Sequence, residues 1–225
     1  MRAMTLLAAC ALAGCASTGD LSSVRYQPVG QCVDSLADVS AAPVTVVPQD
    51  GRGANRPKFV KIHEAATCVR EGERARPALL YTLADLPVPT EISVTVEAAG
   101  LSRSAETAVF APSVVILDRD RRALKRYTLN DFDQRGGTYT LVAFLNEEAA
   151  REGYLLVEPD AEQVGRTMEN RVGVNNSVTV ATMYGGFTWV SGDELQRTSH
   201  LTDVGRIAVS ARAHDARPFE ERNRR

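Results

Sequence analysis

Glu91-Ile92-Ser93-Val94-Thr95-Val96-Glu97 alternates residue by residue, placing Ile92, Val94 and Val96 on one face and Ser93, Thr95 and Glu97 on the other. A run of that kind is a β-strand in an antiparallel sheet with one dry and one wet face. It is not isolated. Phe59-Val60-Lys61-Ile62, Ala78 to Leu83, Leu124 to Leu129, Thr138 to Leu145, Tyr154 to Val157, Ser177 to Met183 and Arg206 to Ala211 carry further strand signals. Val114-Val115-Ile116-Leu117 is apolar on both faces, as a central strand must be, and Asp118-Arg119-Asp120-Arg121 supplies a charged turn after it.

One stretch breaks the period of two. Ala161, Val164, Met168 and Val172 recur at near-helical spacing after Pro159, which predicts a short helix over Pro159 to Val172. Many short strands with one helix predict a mainly β fold, an antiparallel β-sandwich with one short helix, rather than alternating β-α units. The expected organisation is a leader over 1–14, an irregular tether over 15–57, the sandwich over 58–213 and a charged tail over 214–225.

The leader is read from Arg2 and the short apolar run Met4 to Leu12, which is about half of the roughly 20 residues a spanning helix needs. It ends in Leu12-Ala13-Gly14-Cys15, the pattern of a bacterial lipobox, and Cys15 is therefore the expected lipidation site. Several acyl chains on one residue make a stable membrane anchor where one chain is marginal. Ala16, in place of Asp, is similar to the outer-membrane sorting pattern of enteric lipoproteins. The expected location is the periplasm, with the lipid anchor in the outer membrane.

Cys32 and Cys68 remain after Cys10 leaves with the leader and Cys15 is acylated. An even pair in an oxidising compartment is expected to be a disulfide, contributing about 4 kcal/mol in the chain-entropy model; two free buried thiols are the alternative. No Cys or His stands at ligand spacing from either, so no metal site is expected. The formal net charge of −2 carries no field for recruiting nucleic acid.

No catalytic motif emerges. His63 adjoins Glu64, His200 precedes Asp203 by three residues, and His214 lies in the tail, without a nucleophile elbow, a zinc-protease helix or a phosphate-cradling loop beside them. His200 with Asp203 forms either a dyad or a surface turn. Asp118 with Asp120 and Asp131 with Asp133 are pairs that turns commonly use. No enzyme activity and no cofactor are expected. The stretch Tyr184-Gly185-Gly186-Phe187-Thr188-Trp189 holds the sole tryptophan. Aromatic rings stack on the C–H faces of sugars, so Tyr184, Phe187 and Trp189 are candidate glycan-binding residues if the glycines set them on an exposed loop; aromatic residues at alternating positions more often pack in a sheet. Arg121, Arg122, Lys125 and Arg126 form a local basic patch, expected on a solvated hairpin after Leu117.

Ala108-Val109-Phe110-Ala111-Pro112-Ser113-Val114-Val115-Ile116-Leu117-Asp118, followed by basic and aromatic residues to Tyr127, resembles the maltose operon periplasmic protein family and its "VFAPxVxxLD" segment. Glu152 to Val157, Met183-Tyr184-Gly185-Gly186 and Gly205 to Val209 fall in the order that family shows, and the likeness spans roughly residues 59 to 212. The chain differs from it in carrying a lipobox. The resemblance implies a periplasmic β-rich domain linked to maltose or maltodextrin use, with no catalytic residues to carry over. The expected partners are a membrane, through the lipid, and a maltodextrin or a maltose-transport protein. A structural or protein-interaction lipoprotein without a sugar ligand is the alternative.

Overall fold

The computed structural model describes residues 25–28, 30–47, 57–84, 86, 89–99, 106–145, 153–182 and 185–213, with the backbone alone for residues 170–195. In chain order the first elements are β1 (Ala42–Pro43), β2 (Thr45–Val46), β3 (Val60–Lys61), helix α1 (Ile62–Ala65), β4 (Thr67–Glu71) and β5 (Arg74–Thr82). Then come β6 (Thr90–Glu97), β7 (Glu106–Phe110), β8 (Pro112–Leu117), β9 (Ala123–Tyr127), β10 (Asp133–Arg135) and β11 (Thr138–Leu145). The last four are β12 (Tyr154–Pro159), β13 (Thr167–Thr182), β14 (Gly185–Thr202) and β15 (Arg206–Ala213). They build a β-sandwich with one short helix and a third, three-stranded sheet rooted in it.

The first sheet runs β1-β5-β12-β8-β9, with β4 also on β5; the second runs β10-β11-β6-β15-β2, with β3 also on β15. Most pairings are antiparallel, and β1 and β2 join their sheets in parallel. β6 behaves as its alternation dictates: Ile92, Val94 and Val96 are buried while Ser93, Thr95 and Glu97 are half-buried on the other face. With Leu79, Val114, Ile116, Leu141, Leu155, Ile207 and Val209 they form the core between the two sheets. Each such aliphatic side chain contributes about 1.5–3 kcal/mol when fully removed from water.

All six residues of β8 are buried. Val114 and Ile116 enter the inter-sheet core, whereas Val115 and Leu117 pack with Leu80, Leu156, Val39 and Val69 in a second cluster. The second cluster also takes in Val33, Leu36 and Ala41, so the segment ahead of β1 lies over the outer surface of the first sheet. Val33 is tied there by backbone hydrogen bonds with Cys68 and Arg70, and Cys32 and Cys68 form a disulfide with Cα atoms 4.5 Å apart. The tether expected over 15–57 is thus corrected in its described part: it is largely irregular, but Val39 and Val44 are buried and β1 and β2 cap one edge of each sheet.

Two local expectations also change. The helix expected over Pro159 to Val172 is a single turn followed by strand. Gln163 and Val164 donate to the Asp160 carbonyl, Gly165 adopts φ +90°, and its N–H turns to the Leu201 carbonyl at 2.8 Å. A left-handed residue closes a helix after one turn, and Thr167 then enters the β13–β14 ladder. Val164 and Met168 are partly buried against the core, which is why their spacing looked helical. The helix stands instead at Ile62–Ala65, cutting short the strand expected over Phe59 to Ile62. The charged turn after β8 forms as expected, with Arg121 at φ +62° and the Arg122 N–H donating to Asp118 Oδ1 at 2.8 Å.

The chain-entropy value for a bridge spanning 36 residues is about 4 kcal/mol. Replacing Cys32 and Cys68 by Ser together is expected to lower the urea-unfolding free energy by roughly 2–4 kcal/mol. At Gly153 an added Cβ would stand 1.8 Å from the Leu117 carbonyl oxygen, and the obstacle is backbone in a central strand. Gly153→Ala should therefore cost about 3 kcal/mol or more, or prevent folding, read by the same titration.

Candidate functional site

β13 and β14 together form a two-stranded arm. Val172, Val174, Val178 and Val180 alternate with glycine, asparagine, serine and threonine along β13, and such β-branched alternation favours a pleated ladder. The strands pair without a break from Thr167↔His200 to Thr182↔Gly185, a length of roughly 50 Å at about 3.3 Å per residue. β7 pairs in parallel with β14 only over Thr198–Thr202. Among the described residues, no other strand joins β13, and none joins β14 from Gly185 to Gln196.

The base is firmly held. Thr107 Oγ1 and Ser199 Oγ share a buried hydrogen bond of 2.7 Å, the Thr202 hydroxyl donates to the Val204 carbonyl at 2.7 Å, and Leu201 is buried in the core. The Leu201 N–H donates to the Arg166 carbonyl at 2.9 Å. A little farther out, Gln196 Nε2 donates to Glu169 Oε2 at 2.8 Å.

Phe187 and Trp189 are strand residues, opposite Val180 and Val178 respectively, so of the two alternatives the chain takes the sheet rather than the glycine-flanked loop at these positions. Gly185 and Gly186 are themselves paired, with Thr182 and Ala181. Tyr184 lies outside the described residues, as do Cys15, the leader, His214 and the tail. The ladder places Phe187 and Trp189 on one face, toward its Thr182↔Gly185 end.

The titratable candidates do not assemble. His200 is held in β14 with Nε2 3.5 Å from Glu106 Oε2, while Asp203 Oδ1 accepts the Tyr26 N–H at 2.8 Å. No His200–Asp203 dyad forms. Asp118 closes the β8–β9 turn, and Asp131 Oδ2 accepts the Thr128 N–H at 2.8 Å. His63 sits 3.7 Å from Glu64, whose pKa is held below its ordinary value chiefly by the 2.7 Å hydrogen bond from Lys61. The basic patch divides among separate tasks. Arg121 donates to the Leu36 carbonyl and lies over the Tyr154 ring, and Arg126 donates to Ser113 Oγ at 2.8 Å. Lys125 covers Tyr127, whose hydrogen bond raises the ammonium pKa.

The feature not anticipated from sequence is a charged groove at the end of β12. Two adjoining cavities of about 520 and 460 Å³ share Glu71, Arg76, Pro159 and Ala161. In the smaller one Glu158, 7% exposed, pairs with Arg76, while Arg126 Nη2 stands 3.9 Å away. Arg25, Arg74 and Asp203 line the larger cavity. Burial raises the phenol of Tyr26, next to Arg25 in the chain, above the ordinary value. The groove has polar donors and acceptors for a small ligand. Glu158 was hidden because its partners come from β5 and β9, far away in the chain.

Comparison with protein-family models, with curated proteins and with solved structures finds no match to this chain.

Removing one partner of a buried ion pair strands the other charge. Glu158→Ala is expected to destabilise the sandwich by about 3 kcal/mol, the part-exposed Arg76 keeping some water, and Glu158→Gln by less. Thermal and urea unfolding of the two variants measure this directly.

Proposed function

We propose that this chain is a non-catalytic envelope lipoprotein that acts by binding, with the β13–β14 arm as its working part. The observation that carries the proposal is the arm itself: a ladder of roughly 50 Å that, among the described residues, pairs with another strand at its base alone. An isolated two-stranded ribbon is marginal in water and its edges offer unpaired N–H and C=O groups. Such an arm is built to meet something. The lipobox at Cys15 supplies the envelope setting, with the lipid in the outer membrane.

A second reading makes the partner a sugar, in the service of maltose or maltodextrin uptake. It draws on the resemblance at Ala108 to Asp118 and on the shared ladder face of Phe187 and Trp189. A maltose-transport protein on the arm is its close variant.

The arm is tested by site-specific photocrosslinking from positions 179 and 188 in intact cells. Discrete adducts, to another envelope protein or to a second copy, are expected; a protein that yields none contradicts the proposal. The sugar reading is tested separately by following Trp189 emission during maltodextrin addition. A saturable change that Trp189→Ala abolishes is its expected result, and silence in both fluorescence and calorimetry removes it.

A further inference from the structure

The register of the arm divides its residues into two unlike sets. Directly paired residues of an antiparallel ladder share a face, and faces alternate along each strand. One face therefore carries Val172 with Leu195, Val174 with Asp193, Asn176 with Ser191, Val178 with Trp189, and Val180 with Phe187. The other carries Gly173 with Glu194, Asn175 with Gly192, Ser177 with Val190, Thr179 with Thr188, and Ala181 with Gly186. The first set is mainly large and apolar. The second is small and mostly uncharged.

Val172 to Val180 is nine residues on one strand and Phe187 to Leu195 nine on the other, and a transmembrane β-strand needs about 9–11 when tilted. Membrane barrels alternate apolar residues toward lipid with polar residues toward the lumen and gather aromatic residues at the ends of the apolar band. Phe187 and Trp189 stand at the turn end of the band. Asn176 and Ser191 interrupt it only with uncharged groups, and Asp193 lies one rung from its base end, where a charge at a lipid-facing position costs least. Among the described residues no helix is long and apolar enough to cross a membrane, a fact that leaves crossing by strands open.

Two strands cannot cross a bilayer alone, because every backbone polar group in hydrocarbon must be paired and only closed barrels achieve this with strands. One arm offers a β13 edge and a β14 edge of matching length. A foreign strand would cover one and leave the other. Copies of this chain related by rotation cover both, β14 of one arm against β13 of the next, until the ring closes and no edge remains. Resting on the reading that the arm is the working part, we infer that several copies of this chain join their arms edge to edge into a transmembrane β-barrel. The Val/Phe/Trp face meets the lipid and the Gly/Asn/Ser/Thr face lines an aqueous pore. The sandwiches form a ring at the base of the barrel.

The test uses full-length lipidated protein reconstituted into phosphatidylethanolamine–phosphatidylglycerol vesicles. Single cysteines replace Val178, Thr179, Val180, Phe187 and Thr188 in turn and are treated with a charged, water-soluble thiol reagent. Thr179→Cys and Thr188→Cys are expected to react at least tenfold faster than Val178→Cys, Val180→Cys and Phe187→Cys, in protein that runs as an oligomer in detergent and releases an entrapped dye. Val178→Asp should abolish dye release while Thr179→Asp retains it, the sandwich of both melting as in the parent. Equal reaction at all positions, or a monomer that releases no dye, overturns the barrel. If the photocrosslinks then lead to a different envelope protein, the binding reading stands and the barrel alone fails; if there are no crosslinks, both fail.

Discussion

A β-sheet ends in two strands whose outer N–H and C=O groups need partners or water, and the fold is organised around where those edges fall. In the first sheet one edge is covered by β4 and β1, and in the second by β3 and β2. The opposite edges are β9, which exposes Lys125 and Arg126, and β10, only three residues long. Short strands, charges and a proline at the margin, here Pro43, are the ordinary ways of keeping an edge from pairing with another chain. Apart from β7 along Thr198–Thr202, no other strand among the described residues covers β13 or β14, and neither is short. Their long edges set the arm apart from the sandwich and make it the natural place for assembly.

The sandwich supplies the fixed base on which the arm depends. The central strands β8 and β12 of its first sheet are dry on both surfaces, one against the second sheet and the other beneath the segment that includes Val33, Leu36 and Val39. The Cys32–Cys68 bridge fastens that segment to β4, which pairs with β5. β7 runs from the third sheet directly into the buried β8, and β14 passes through Thr202 to β15 in the second sheet. The arm's root is thus continuous with both halves of the core, so a load on the arm is carried by the sandwich as a whole.

Much of this was legible because it is local. The alternation of Ile92, Val94 and Val96 is the direct imprint of one dry face, and the two-faced burial of β8 was written in Val114 to Leu117. Other features are set by distant partners. Ala161, Val164 and Met168 recur at three and four residues because a turn and a strand each return one side chain to the core, a spacing that one sequence cannot distinguish from a helix. Arg76, Glu158 and Arg126 meet only when β5, β12 and β9 are assembled. Phe187 and Trp189 were noticed for their chemistry, but Gly185 and Gly186 suggested a loop; the pairing with Thr182 and Ala181 keeps the strand extended through both glycines. The full length of the arm exceeds the strand signal at Ser177 to Met183, because Asn175 and Asn176 are poor strand formers, and only a partner strand shows that the ladder continues through them.

The functional account follows from the same contrast between satisfied and unsatisfied backbone. His63, His200, Asp118, Asp131 and Asp203 are taken up in turns, caps and ion pairs, while the arm retains the capacity to pair. Hydrogen–deuterium exchange on the full-length protein, in detergent monomers and in vesicles, tests this most directly. Amides of 170–182 and 185–196 should exchange rapidly in the monomer and become strongly protected in the membrane, with the amides of β6, β8 and β12 slow in both. Arm amides equally protected in the two states, or equally labile, would contradict the account.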